Sequence, residues 1–318
     1  MQATVRVRRH NTEAPAVHGK LQEFKFDVSE NTTVLDALIK VREEIDGTLG
    51  VRCSCRASIC GSCGMRVNGQ ARLACKTKLT DVSRDGAPIT VEPMGNMPVI
   101  KDLITDMGIF WGKIRQVEPY LQPAGPEPKG EYIASDESMA HLVGVMNCIM
   151  CGACVSDCTA LEVDSTFIGP AALAKAYRFV ADPRDGATQD RLGTLNERSG
   201  IWDCTRCYYC VQVCPKGVAP MERIMKMRDL AMEAGYNNTS GSRHTKSFAK
   251  SVKKGGLLNE TMLAVESTGW LNVPGQMAQA PIGIKSLLKG KLPNPLGHRI
   301  KARKHIRRVF DKVEGESK

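Results

Sequence analysis

Cys148-Ile-Met-Cys151-Gly-Ala-Cys154-Val-Ser-Asp-Cys158 and Cys204-Thr-Arg-Cys207-Tyr-Tyr-Cys210-Val-Gln-Val-Cys214 share one spacing, C-x2-C-x2-C-x3-C. Pro215 follows the second run, and Thr159 stands in its place after the first. Close runs of thiolates at this spacing wrap cubane iron–sulfur clusters. A third group lies upstream, in Cys55-Arg-Ala-Ser-Ile-Cys60-Gly-Ser-Cys63, with Cys75 following in Arg72-Leu-Ala-Cys75. Its C-x4-C-x2-C opening is that of [2Fe-2S] ligands. The three groups predict one [2Fe-2S] cluster followed by two [4Fe-4S] clusters.

Glycines at 61 and 64 allow the backbone to curl around inorganic sulfide, where a side chain would crowd it. The competing chemistry is structural zinc, which prefers paired C-x2-C spacing. In two-cubane ferredoxins the fourth Cys of each run ligates the other cluster. Applied here, Cys148, Cys151 and Cys154 bind one cubane with Cys214, and Cys204, Cys207 and Cys210 bind the other with Cys158. Cys53 is left over, either a spare small residue beside the first cluster or a redox-sensitive or substitute ligand. The six histidines are scattered away from these groups, which argues against a Rieske-type centre. No GxGxxG, Walker loop or nucleophile elbow occurs, so no catalytic residue is assigned. The chain reads as an electron carrier that leaves substrate chemistry to another subunit.

The 318 residues carry 13 cysteines, all between Cys53 and Cys214, too clustered for a disulfide framework. No stretch approaches the roughly 18 uncharged apolar residues of a membrane span, and no export signal is read at the N-terminus. The expectation is a reducing cytoplasm. The net charge of +10 is unevenly placed, with Lys and Arg concentrated after Lys285. That pattern fits nucleic acid, anionic lipid or an acidic partner, and no recognised nucleic-acid module supports the first.

The fold class read from the chain is α+β. Residues 1–95 form a β-grasp [2Fe-2S] ferredoxin-like domain. Ala3 to Arg8 and Leu21 to Val28 alternate as strands, joined through the turn residues of NTEAPAVHG. Thr33 and Asp36 make a capping-box-like helix start, followed by Val34, Leu35, Leu38 and Val41 at helical spacing. Met65-Arg-Val and Ile89-Thr-Val-Glu supply later strands. Residues 96–130 are a connector whose Gly/Pro content breaks regular structure. Residues 131–235 form an α-helical domain with two cubanes, including a helix begun by Pro170. A Met-rich stripe at Met221, Ile224, Met225, Leu230 and Met232 reads as core packing. Residues 236–318 are a basic C-terminal extension for partner docking. A linker at Asn237 to Ser242 precedes a segment from His244 to Lys254 and a helix around Thr261 to Val265. The final HRIKARKHIRRVFDKV is either an amphipathic docking helix or a solvated basic tail.

Ser54-Cys-Arg-Ala-Ser-Ile-Cys-Gly-Ser-Cys-Gly-Met closely resembles the [2Fe-2S] signature of the iron–sulfur subunit of succinate dehydrogenase and fumarate reductase. So do Leu73-Ala-Cys75, Pro98-Val-Ile-Lys-Asp-Leu, Phe167-Ile-Gly-Pro-Ala, Ala176-Tyr-Arg-Phe, Asp182-Pro-Arg-Asp and Val213-Cys-Pro-Lys-Gly. The resemblance implies an FAD-containing flavoprotein partner that oxidises succinate or reduces fumarate. It also implies a membrane-anchor partner that exchanges electrons with quinone. The chain would then lie peripherally on the cytoplasmic side of the cell membrane, held by those partners.

Three features depart from the usual family pattern. Most members lack a cysteine at the position of Cys207 and hold a [3Fe-4S] cluster, the form expected here if Cys207 does not ligate. Leu161-Glu-Val and Thr205 stand where a Trp and a His usually line a quinone site. The last eighty or so residues extend past the usual family end. Together these resemble the non-classical branch, whose membrane partner is a Cys-rich, heterodisulfide-reductase-like subunit. The alternative function is the iron–sulfur subunit of a thiol-coupled fumarate reductase or heterodisulfide-type complex.

Overall fold

Alternation builds the first sheet. In a computed structural model of the chain, which describes residues 2–11, 15–16, 18–83, 85–197, 199–294 and 297–316, β1 (Gln2–Arg8) buries Ala3, Val5 and Val7 on one face. β2 (Leu21–Asp27) pairs antiparallel with it, placing Phe24 opposite Val5 and Phe26 opposite Ala3. Thr12 to Ala14 and Val17, part of the expected turn between these strands, lie outside the described residues. β1 also pairs in parallel with β5 (Ile89–Glu92), Val5 with Ile89 and Val7 with Val91. A hairpin cannot join parallel strands, so the chain between them is a long crossover. It carries α1 (Val34–Lys40), the first Cys loop, β3 (Gly64–Val67), β4 (Gln70–Leu73) and the one-turn α2 (Leu79–Val82). The sheet order is β2-β1-β5-β3-β4, a mixed sheet with α1 on its core face.

The predicted cap is present. Asp36 N–H donates to Thr33 Oγ1 at 3.1 Å, and Thr33 N–H donates back to Asp36 Oδ2 at 3.1 Å. Val34, Leu35 and Leu38 are buried, and Val41 follows them in a single π-turn, Val41–Ile45. Each such side chain contributes about 1.5–3 kcal/mol on burial. The same core contains Arg9, whose side chain is wholly enclosed. Its Nε donates to Asp102 Oδ1 at 2.9 Å and its other nitrogens reach Asp46 Oδ2 at 2.7 Å and Thr48 Oγ1 at 2.9 Å. Asp102 Oδ2 in turn accepts from Gly50 N–H at 2.8 Å. A buried guanidinium is tolerated when its donors are met, and here they fix the segment that leads into the Cys loop.

The connector is only partly irregular. β6 (Val99–Lys101) and β7 (Ile104–Thr105) form a two-stranded ribbon, and α3 (Gly108–Gln116) follows. The prolines fall after Gln116, where residues 117–130 form no helix and only an isolated bridge, Pro123 to Asp185. Buried Arg191 holds the start of that stretch through the carbonyls of Val117, Glu118 and Tyr120. Asp185, from Asp182-Pro-Arg-Asp, pairs with Arg191 at 3.1 Å.

The helical half runs through α4 (Asp136–Met139), α5 (Ala153–Ser156), α6 (Thr159–Val163), α7 (Pro170–Val180), α8 (Thr188–Asn196), α9 (Tyr209–Gln212) and α10 (Pro220–Glu233). Gly169 at φ 92° turns the chain into Pro170, and α7 is buried on nearly all sides. The buried positions of α10 are Pro220, Ile224, Met227, Arg228 and Ala231. Met221, Met225, Leu230 and Met232 are half-buried beside them, so the core stripe is offset from the one read in the sequence.

The chain divides into two compact units, residues 1–227 and 228–318. In the second, α11 (Ser240–Gly255) packs against α12 (Glu260–Thr268) and α14 (Arg303–Glu316), while α13 (Val273–Leu288) follows α12. The stretch expected as a linker is half helix: Thr239 caps α11, accepting from Ser242 N–H at 3.2 Å. The basic terminal segment is helical, with Lys253 of α11 paired to Asp311 at 2.9 Å and Glu314 at 2.8 Å.

Candidate iron–sulfur centres

The first Cys loop turns its backbone donors inward. Arg56, Ser58 and Gly61 take φ values of 53°, 58° and 75° within nine residues. Alternating handedness of this kind makes a nest of N–H groups suited to an anion. Ala57, Ile59 and Cys60 N–H donate to Cys55 Sγ at 3.4, 3.3 and 3.3 Å, and Ser58 N–H donates to Cys75 Sγ at 3.3 Å. Ser58 Oγ is buried without a hydrogen-bond partner. An orphaned donor among thiols is what a sulfide-bearing group satisfies, so these residues fit a [2Fe-2S] cluster. Cys63 is buried and Cys60 exposed. Burial pushes the Cys63 thiol up to about 12, whereas hydrogen bonds, that of Ser62 first, lower Cys60 to about 6. Cys53 is half-buried against the β-sheet core.

The two cubane runs share a backbone as well as a spacing. Met150 and Gly152 flank Cys151 at φ 56° and 79°, and Arg206 and Tyr208 flank Cys207 at φ 59° and 72°. A one-turn helix follows each, α5 and α9, and each ends before its fourth cysteine. Cys148, Cys151, Cys154 and Cys214 line one cavity, closed by Phe110, Ala171, Ala174 and Val218. Cys154 is raised well above its ordinary value by burial first, then by Cys151, Cys148, Cys210 and Cys214. Burial likewise raises Cys158 and Cys210, the latter to about 12, and Cys204 and Cys207 raise both further. Cys214 therefore lies with the first run and Cys158 with the second. Thiols this hard to ionise become ligands when bound iron supplies the opposing charge.

At Cys207 burial is outweighed by hydrogen bonds from the Thr159 side chain and the backbone of Tyr209 and Thr159, and the thiol falls. Thr159 occupies the place that Pro215 takes in the other run. Among the described residues no three His, Cys, Asp or Glu side chains converge on a position for a single metal ion.

The loops of the first two groups touch. A Cβ on Gly61 would lie 2.8 Å from Cys151 Cβ and 2.9 Å from Cys151 Cα. Several residues that position this meeting were not singled out in the sequence. Asn96 Nδ2 donates to the carbonyls of Val155, Ser156 and Cys158 at 2.8, 3.2 and 3.0 Å. Arg66 and Asp157 pair at 2.9 Å. An acid between two cysteines, at Asp157, was the available signal.

Comparison with known proteins agrees with this geometry. The family described as 2Fe-2S iron-sulfur cluster binding domain matches residues 4–112, and the 4Fe-4S dicluster domain matches residues 144–218. The chain resembles a subunit of the Mycobacterium smegmatis Sdh1 complex in the apo form, with a TM-score of 0.68 and 26% identity over 74% of this chain and 98% of that one. It is 36% identical over 235 residues, 73% of its length, to the mitochondrial succinate dehydrogenase [ubiquinone] iron-sulfur subunit 1 of Oryza sativa subsp. japonica, of which 83% is covered. The chain thus belongs to the family of succinate dehydrogenase iron–sulfur subunits, the electron-transfer components of that oxidoreductase.

Proposed function

We propose that this subunit carries electrons between an FAD-containing flavoprotein and a membrane quinone-reactive subunit. Its route is one [2Fe-2S] cluster at Cys55, Cys60, Cys63 and Cys75, then [4Fe-4S] clusters at Cys148, Cys151, Cys154 and Cys214 and at Cys158, Cys204, Cys207 and Cys210. Each cluster, when bound, accepts and releases one electron. The contact between Gly61 and Cys151 carries this reading, because it joins the first two cluster loops without intervening side chains. The Cys154–Cys158 segment then links the second set to the third.

Burial supports the order. Ile59 and Cys60 are exposed at one end, and Cys207, Tyr208 and Tyr209 at the other, while the Cys148 set lines an internal cavity. Exposed ends suit exchange with partners, and an apolar middle keeps water from the carrier. The chain's part is to hold the three sets at fixed separation and to direct N–H groups at the sulfurs.

The shared backbone of Cys151 and Cys207 supports a full cubane at the third set. With Leu161 and Thr205 it also supports a Cys-rich membrane partner. Iron and sulfide analysis of the native complex tests the count. About ten irons per chain fit two cubanes and about nine fit a three-iron third centre; zinc in their place would overturn the reading. Identification of the co-purified subunits tests the partners.

A further inference from the structure

Charge divides between the two units. Residues 228–318 hold 17 Lys and Arg against 7 Asp and Glu, and residues 1–227 hold 27 of each. The whole net charge of +10 therefore belongs to the second unit. The same unit exposes many large apolar side chains. Val273, Met277, Ile284, Leu287 and Leu288 fall within about a 100° arc of α13, the width of an amphipathic helix stripe, and all five are exposed. Trp270 and Leu271 extend the patch just before the helix, with Leu271 96% and Leu288 82% exposed. One flank of α13 is engaged with α12, where Gln276 Nε2, next to Leu287 around the helix, reaches Val265 O at 2.9 Å; Ile282, on the far side, is also exposed. Only Lys285 is charged between Trp270 and Leu288, and Lys289 and Lys291 follow directly.

We propose that this unit binds an anionic bilayer surface directly, with the exposed face of α13 in the headgroup boundary and the surrounding lysines and arginines on lipid phosphates. α13 lies along the surface rather than across it. Its 16 residues span about 24 Å, short of the roughly 30 Å hydrocarbon core, and Pro281 interrupts them. No described helix is long and apolar enough to cross a membrane. Trp270 takes the interfacial position favoured by its amphipathic ring. The residues stand out as a ridge bordered by cations, the pattern of a helix that enters lipid in plane. A purely acidic protein partner would account for the lysines but leave the ridge in water.

Sedimentation of the full-length chain with vesicles tests the proposal. Binding is expected to vesicles containing phosphatidylglycerol, to fall at least tenfold with phosphatidylcholine alone, and to weaken as salt is raised. Combined Leu271→Gln, Ile284→Gln, Leu287→Gln and Leu288→Gln should reduce binding at least tenfold. Lys285→Gln with Lys289→Gln and Lys291→Gln should reduce it several-fold and flatten the salt dependence. Cluster EPR spectra should remain those of the unaltered protein, which separates this result from the cluster assignments. Failure of the unaltered chain to bind anionic vesicles, or full binding by the Gln variant, overturns the proposal. So does loss of a co-purified subunit from the Gln variant with vesicle binding unchanged, which would assign the ridge to protein.

Discussion

Arg66 on β3 reaches into the first cubane run, where its Nε lies 2.9 Å from Asp157 Oδ1 and its guanidinium also donates to Ser156 O at 2.9 Å. The second oxygen of Asp157 accepts from Ala71 N–H at 2.8 Å. Asp157 lies between Cys154 and Cys158, so a strand of the sheet domain holds the segment shared by both cubane sets. The pair has little access to water on the Asp157 side, at 9%, and moderate access at Arg66, at 33%.

Arg66→Ala should therefore cost about 2 kcal/mol, toward the lower part of the range for stranding a buried charge because Arg66 is partly solvated. Arg66→Lys keeps the charge but not the fork and should cost less. Urea unfolding of the cluster-loaded chain under anaerobic conditions measures both. A loss in Arg66→Ala below about 0.5 kcal/mol, the size of an exposed pair, would show that the contact does not hold the two parts together.

Gly61 combines a φ of 75° with backbone contact to Cys151. Gly69 has nearly the same φ, 78°, and nothing within reach of a Cβ. Gly69→Ala should cost about 1 kcal/mol, the penalty for a left-handed alanine. Gly61→Ala adds a clash with a rigid backbone and should cost about 1–3 kcal/mol more. It should also lower iron occupancy of both the first and second centres, because the two loops must move apart. Iron analysis and visible absorption of the two variants side by side check this.

Asp46 supplies the acid response of the sheet domain. Hydrogen bonds from Thr48, then the Arg9 guanidinium, hold its carboxyl at about 2 against an opposing effect of burial, where the ordinary value is 3.8. A depressed carboxylate stabilises the fold above its unfolded pKa and loses that contribution as pH falls through the folded value. Asp46→Asn should thus be less stable by about 2 kcal/mol near neutral pH. The difference from the unaltered chain should close between about pH 4 and pH 2. Urea midpoints measured in parallel across that range give the comparison, and a gap that stays constant with pH would contradict it.

What could be read from the sequence was local. Cysteine spacing, the alternation of β1 and β2 and the Thr33/Asp36 cap each need only a few neighbouring residues. Contacts between distant residues were not legible: Gly61 on Cys151, Arg66 on Asp157, and Arg9 among Asp46 and Asp102 depend on the finished fold. α13 was missed for another reason. Gly275, Pro281 and Gly283 are helix breakers by residue type, yet Asn272 caps the helix and Pro274 fits its first turn. The core stripe of α10 is offset from the expected one because the buried row runs through Ile224, Met227, Arg228 and Ala231, with Met221, Met225, Leu230 and Met232 half-buried at its margin.

Ser58 is a left-handed non-glycine residue whose N–H donates to Cys75 Sγ at 3.3 Å and whose hydroxyl is buried and unpartnered. A hydroxyl that donates to sulfur of a bound cluster would favour the reduced, more negative state and raise the potential. Ser58→Gly removes the donor and relieves the backbone. A hydrogen bond worth about 1 kcal/mol corresponds to about 40 mV for one electron. The [2Fe-2S] potential should fall by about that amount while thermal stability holds or rises. An EPR-monitored redox titration reads the first and calorimetry the second; an unchanged potential would assign Ser58 no part in tuning the cluster.

In the proposed assignment, Cys207 completes the ligand set of the third centre. It takes the same backbone position as Cys151, between two left-handed residues, and Thr159 hydrogen bonds favour its thiolate. Cys207→Ser should leave Cys158, Cys204 and Cys210 as three thiolates, enough for [3Fe-4S] but not for a fully Cys-ligated cubane. The oxidised variant should show a three-iron EPR signal absent from the unaltered chain, about one iron fewer per chain, and a higher potential at that centre alone. The [2Fe-2S] signal provides the internal control. An unchanged iron count with no three-iron signal would mean that Cys207 is not a required ligand, and the exposed end of the route would then need a different fourth donor.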